Sequence, residues 1–334
     1  MKISFGNLLR NLLGYRMSHE RLPDIIRLPN VRGYEARCND IVYCRPWNPP
    51  VDGTQSVCVF FGGDVQDFAE HMLSHRDNKH HARWSLENTA KILQNGFVDS
   101  HILVVRPARM EYRTFSCYDN FVPCVNCGVP EHVPLHYSLV HLQRIVSNVA
   151  ELIRDMPDEE FEEAAKAARN GLELVGNNAQ EESPERASAR TLLNLNDSEV
   201  ILAGFSKGCV VLNQFLYEFH YYNENTSPSD PAIISRIREM YWLDGGHSGG
   251  KNTWVTSSDL LGNLARLGIK VFVHVSPYQI DDDRRPWIRK EEKRFAETLG
   301  KLGAMTKRTA HFDGIPASIE NHFEILRIFK NDVD

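Results

Sequence analysis

The sequence predicts an α/β protein in which a mostly parallel sheet carries helices on both faces. Three observations point there: short apolar runs rich in β-branched residues, amphipathic stretches that alternate with them, and a Gly-x-Ser-x-Gly turn where one such run meets one such stretch.

The strand candidates are residues 41–44, 56–61, 101–105, 200–203, 240–243, 270–275 and 305–312. Several are apolar throughout, as strands covered on both faces must be, because crossover helices leave neither face of a parallel sheet wet. Between them, residues 84–94, 136–153, 207–219, 258–267, 287–299 and 321–329 place apolar side chains at spacings of three and four, the signature of helices with one buried face.

Composition is that of an ordinary globular chain: 334 residues, 42% hydrophobic and 25% charged. The net charge is -6, and residues 157–190, with nine acidic and four basic side chains, carry most of it. No basic field remains for a nucleic acid. The acidic segment reads as an insertion, a short solvated helix or disorder, within a single domain spanning 20–334. Seven scattered cysteines suit a reducing compartment, and no apolar run reaches the ~18 residues of a spanning helix. Residues 1–19, with Lys2, Arg10 and Arg16 and no acid, read either as a targeting segment or as a surface helix.

The turn Gly204-Phe205-Ser206-Lys207-Gly208 is the most informative motif. A serine on a tight bend between a buried strand and a helix is held out from the sheet's carboxyl edge, and the flanking glycines let strand and helix close together. This context predicts an α/β-hydrolase-like fold with Ser206 as nucleophile and the backbone N–H of Lys207 as an oxyanion donor. A second donor is expected from the loop after residues 56–61, at Gly63 or Asp64. For the base, His322 opens the last helix after a polar loop and is preferred over His311, which belongs to the last strand's apolar run. For the acid, Asp282 follows the strand that more commonly bears it in this fold and is preferred over Asp244, which ends the strand before. The chemistry implied is acyl transfer from a small-molecule ester or thioester, needing no cofactor and no metal. Met110, Tyr112, Phe115, Tyr118 and Phe121 fit either an apolar lid or the packing of the loop itself. The pair Cys124 and Cys127 lacks a matching second pair, and the histidines at 71, 75, 80 and 81 lie in a polar segment, so neither argues for a metal site.

The stretches Gly63-Asp64-Val65-Gln66, Trp84-Ser85-Leu86-Glu87-Asn88 and Gly204 to Gln214, with Asp244-Gly245-Gly246-His247 and Glu320-Asn321-His322-Phe323, carry a resemblance. Over residues 28–329 the chain resembles the family of a vertebrate mitochondrial protein named for a chromosome-2 open reading frame. The resemblance implies an α/β-hydrolase-like fold, a mitochondrial rather than cytoplasmic address and a link to energy metabolism. It implies no particular substrate or protein partner, and it leaves open a catalytically silent binding or regulatory protein of the same fold.

Overall fold

The apolar runs assemble into an eight-stranded sheet, which the computed structural model describes within residues 25–48, 55–177, 193–225 and 231–332. In chain order the strands are β1 (Ile25–Arg32), β2 (Cys38–Cys44), β3 (Ser56–Phe61), β4 (Ser100–Val105), β5 (Glu199–Phe205), β6 (Ile237–Leu243), β7 (Lys270–Val275) and β8 (Thr306–Ala310). Across the sheet they lie in the order β1-β2-β4-β3-β5-β6-β7-β8. The first two strands run antiparallel to their neighbours, and the other six are parallel. This is the α/β-hydrolase-like arrangement that the serine turn predicts.

Strand β1 is not legible in the sequence. Pro29 interrupts it, and the pairing slips between Leu28 and Val31 around Asn30, whose φ is 52°. A proline is tolerated there because β1 is an edge strand and the slip acts as a bulge.

Nine helices are used below: α1 (Ala69–Leu73), α2 (Leu86–Gly96), α3 (Ser138–Asp155), α4 (Asp158–Leu174), α5 (Cys209–Glu224), α6 (Ser258–Arg266), α7 (Pro277–Ile280), α8 (Pro286–Lys301) and α9 (Ile319–Ile328). The two sheet faces bury separate apolar clusters. Val57, Val59 and Phe61 of β3 point to a core completed by α3, α5, α6 and α8, while Cys58 and Phe60 point to one completed by α2 and α9. That alternation is the period-two pleat of a strand buried on both sides.

The acidic segment departs from expectation. Its first half is α4, which is neither disordered nor fully solvated: Phe161, Ala165, Ala168 and Leu172 are buried against the sheet edge at β1. Alanines at helical spacing have too little surface to register as an apolar stripe, yet they let a helix pack closely. Residues 178–192 and the 1–19 segment lie outside the described residues. No helix among the described residues is long and apolar enough to cross a membrane.

Candidate active site

The carboxyl ends of the central parallel strands meet at one cleft of about 460 Å³. Ser206 follows β5 directly, with φ at 52°, in the left-handed region that L-residues other than Asn and Asp rarely occupy. Packing holds this bend in place. A Cβ on Gly208 would stand 1.9 Å from the carbonyl oxygen of Phe61, and one on Gly204 would stand 2.9 Å from the backbone of Cys209. Both glycines therefore allow β3, β5 and α5 to approach within backbone contact, and Ser206 is left at the mouth of the cleft.

Asp244 ends β6, also with positive φ (47°), and is fully buried. Three donors meet its two oxygens: Ser276 N–H at 2.7 Å, Ser276 Oγ at 2.5 Å, and Nδ1 of His322 at 2.6 Å. A buried carboxylate needs such donors. Because a carboxylate only accepts, Nδ1 carries the proton, and Nε2 is left as the acceptor that can serve a hydroxyl. His322 sits in the first turn of α9, behind Ser318, which caps the helix by accepting from Asn321 N–H at 3.1 Å. Its ring lies between Phe205 and Tyr278, with centroids at 4.5 and 4.6 Å, so neighbours on both faces fix its orientation. No hydrogen bond joins the Ser206 hydroxyl to that ring among the described residues; the two groups share the cleft.

The structure places Asp282, the acid favoured from sequence, away from the imidazole, and Asp244 against it. Asp282 bonds to no imidazole: its carboxylate is held by Arg284 and by Arg285 Nε at 2.8 Å, and these contacts keep it well below the usual carboxylate range. The strand position that commonly bears the acid, just after β7, is occupied by Ser276, which instead orients Asp244. His311 is likewise engaged elsewhere, through Nε2 to Nδ1 of His274 at 2.8 Å. Burial depresses His274 to about 3.

The loop after β3 also differs in detail. The N–H of Gly63 already donates to Oε1 of Gln66 at 2.8 Å, and Gln66 is in turn fixed by Trp84 O and Thr89 Oγ1. Gly63 is thus occupied as a donor. The carboxylate of Asp64 accepts from Ser116 N–H at 2.9 Å and faces Lys207 Nζ at 3.3 Å. Desolvation raises its pKa, and Lys207 works against that rise. Lys207 has a fully buried side chain, whose ammonium also donates to Cys127 O at 2.7 Å.

Of the two readings of Met110, Tyr112, Phe115, Tyr118 and Phe121, packing of the loop holds, and none of the five lines the cleft. Tyr118 and Phe121 are fully buried against Phe61, and Tyr118 donates to Gly62 O at 3.0 Å. Met110 and Phe115 flank a hairpin whose exposed turn contains Tyr112. This hairpin braces the loop after β3, through Ser116 Oγ to Gly63 O at 2.6 Å and Val65 N–H to Thr114 O at 2.7 Å. Apolar lining comes instead from Val65, Tyr278, Ile319 and Phe323. Two further cleft residues escape a reading of the sequence. His247 is buried, which lowers its pKa to about 4, and Gln279 is packed against Gly246. The glycine pair between Asp244 and His247 signals a strand end, but it does not announce which neighbour it faces.

The sheet order and strand directions define an α/β-hydrolase-like fold, in which Ser206 stands on a strained turn and Asp244 is bonded to His322. The family model described as C2orf69 matches residues 27–305, and the chain belongs to the C2orf69 family. It is 40% identical over 297 residues to the human "Mitochondrial protein C2orf69", covering 85% of this chain and 76% of that protein. To the zebrafish homologue it is 35% identical over 320 residues, covering 91% and 85%. Among solved structures, esterase Est22 aligns with 92% of this chain and 79% of its own at 13% identity and a TM-score of 0.44.

Proposed function

We propose that the chain is a serine hydrolase that transfers the acyl group of an ester or thioester to water, acting in mitochondria as the name of its relatives indicates. The observation that carries this reading is the 2.6 Å bond between Asp244 and His322 beside the strained Ser206 elbow. Ser206 Oγ attacks the carbonyl carbon while Nε2 of His322 takes its proton. The tetrahedral oxyanion is met by the N–H groups of Lys207 and Asp64, at the start of the turn leading into α5. Collapse of that intermediate breaks the bond to the leaving group and transfers the proton from His322 to the departing alkoxide or thiolate, and water then repeats the sequence on the acyl-serine. Asp244 holds the tautomer and stabilises the imidazolium. The test is covalent labelling by a fluorophosphonate probe: the folded wild-type chain reacts and Ser206→Ala does not. A folded wild-type chain that resists the probe would count decisively against the reading.

One observation favours a second reading, a catalytically silent binding protein of the same fold. The N–H of Gly63, a position expected to face the oxyanion, is tied to Gln66. On that reading Ser206→Ala preserves cellular function, and loss of function in a stably folded Ser206→Ala chain rejects it.

A further inference from the structure

We propose that the cleft selects an acyl substrate bearing an anionic group, held at the rim by Arg284 and Arg285; this rests on the hydrolase reading and adds the substrate class to it. Both arginines line the cleft, with Asp282 between them as their shared counterion. Two guanidinium groups on one carboxylate leave one positive charge in excess. Asp281 is drawn off to Arg289 on α8, and Asp283 does not line the cleft, so neither cancels that excess at the rim. The other charged pair of the cleft wall, Asp64 with Lys207, is internally balanced. Arg285 gives Asp282 only its Nε, so its terminal nitrogens point to no partner among the described residues and can take a carboxylate or phosphate in the two-pronged fashion that guanidinium favours.

An independent feature marks the same wall as ligand-facing. Gln279 is 3% exposed and lines the cleft, yet its side-chain oxygen has no hydrogen-bond partner among the described residues. Its amide rests on Gly246, where a Cβ would approach within 2.3 Å, and Gly246 N–H in turn binds the Ser206 carbonyl at 3.2 Å. An unpaired buried amide oxygen is costly and, because it only accepts, the cost is removed by an N–H or O–H donor of a bound molecule. A purely hydrocarbon acyl chain would leave it unpaired. The wall therefore fits a substrate that brings an anion to the arginines and a donor to Gln279 better than a simple lipid.

The experiment compares matched probes on the full chain. For a carboxylate on the acyl side, p-nitrophenyl hydrogen glutarate is set against p-nitrophenyl butyrate; for phosphate on the thiol side, butyryl-coenzyme A is set against S-butyryl-N-acetylcysteamine. In at least one pair kcat/KM is expected to favour the anionic member by about tenfold or more, the scale of a charge-assisted contact. That ratio falls toward one in Arg284→Gln/Arg285→Gln and rises in Asp282→Asn, and the pair that responds names the source of the anion. Ratios near one in the wild type, or a preference that survives in the double variant, overturn the proposal. If no probe turns over and Ser206 takes no fluorophosphonate, it is the hydrolase reading that has failed. The anion claim is then decided by calorimetric titration of Ser206→Ala with monomethyl glutarate against dimethyl glutarate: tighter binding of the monoanion, lost in the arginine double variant, supports it, and equal affinity rejects it.

Discussion

Nδ1 of His322 lies 2.6 Å from Oδ2 of Asp244, a contact between residues 78 positions apart that joins the first turn of α9 to the end of β6. The pair makes Asp244, not Asp282, the partner of the imidazole. Asp244→Asn is expected to lower kcat/KM for an activated ester by roughly 10³- to 10⁴-fold, as loss of the correct tautomer does in serine hydrolases generally. Asp282→Asn should lower it for a neutral ester by less than ~10-fold, since a rim carboxylate makes no contact with the imidazole. Rates measured on both folded variants check this, and an equal loss in the two would return Asp282 to candidacy.

Ser276 supplies two of the three donors on Asp244. Ser276→Ala removes the hydroxyl and keeps the N–H, so Asp244 stays paired but can rotate. A fall in fluorophosphonate labelling rate of about tenfold, with stability lowered by no more than about 2 kcal/mol, is expected. Unchanged labelling would mean that Phe205 and Tyr278 alone orient the ring.

The elbow glycines can be tested against an ordinary helix glycine. Gly208→Ala drives a methyl into the Phe61 carbonyl, a backbone atom that cannot swing aside, and should destabilise by about 3 kcal/mol or more. Gly262→Ala in α6 has its nearest neighbour 3.9 Å away and should stabilise by roughly 0.5–1 kcal/mol. Urea unfolding of the two variants gives opposite signs if the elbow is packed as described.

Four buried histidines and the partly buried His132 set an acid limit on stability. Desolvation lowers His101, His132 and His247 to about 4, and His141 and His274 to about 3, from an ordinary value of 6.5. A depressed histidine binds fewer protons folded than unfolded. Its contribution is therefore whole above pH ~6.5 and is lost progressively as pH falls toward 4 and then 3. The melting temperature should fall by roughly 10 °C between pH 7.5 and 4.5, with little change between 7 and 8. A flat profile across the acidic range would show that these rings find partners as they charge.

The ion pair of Lys207 and Asp64 should be strongly coupled. Lys207→Met leaves the partly exposed Asp64 carboxylate without its counter-ion and is expected to cost about 1–3 kcal/mol, whereas Lys207→Met/Asp64→Asn recovers part of that loss. A double-mutant cycle in urea measures the coupling, and additivity within ~0.5 kcal/mol would dismiss it.

Features encoded locally are legible in the amino-acid sequence alone. Alternating runs of β-branched and amphipathic residues specify the parallel sheet and its helices, and the glycine pair around Ser206 specifies the elbow, because strand, helix and tight-turn preferences act over a few residues. His322 is reachable for the same reason, since a polar loop followed by a capped helix has a local signature. Which aspartate meets the imidazole is not of this kind. Asp244 and Asp282 both end or follow strands, and only the packing of β6 against β7, with Ser276 placed between, gives one of them to His322 and leaves the other to Arg284 and Arg285. The edge strand around Pro29, the buried alanine face of α4 and the capture of Gly63 by Gln66 are decided in the same way. Each depends on what a residue meets across the fold, and contacts between distant segments leave no periodicity in the chain that makes them.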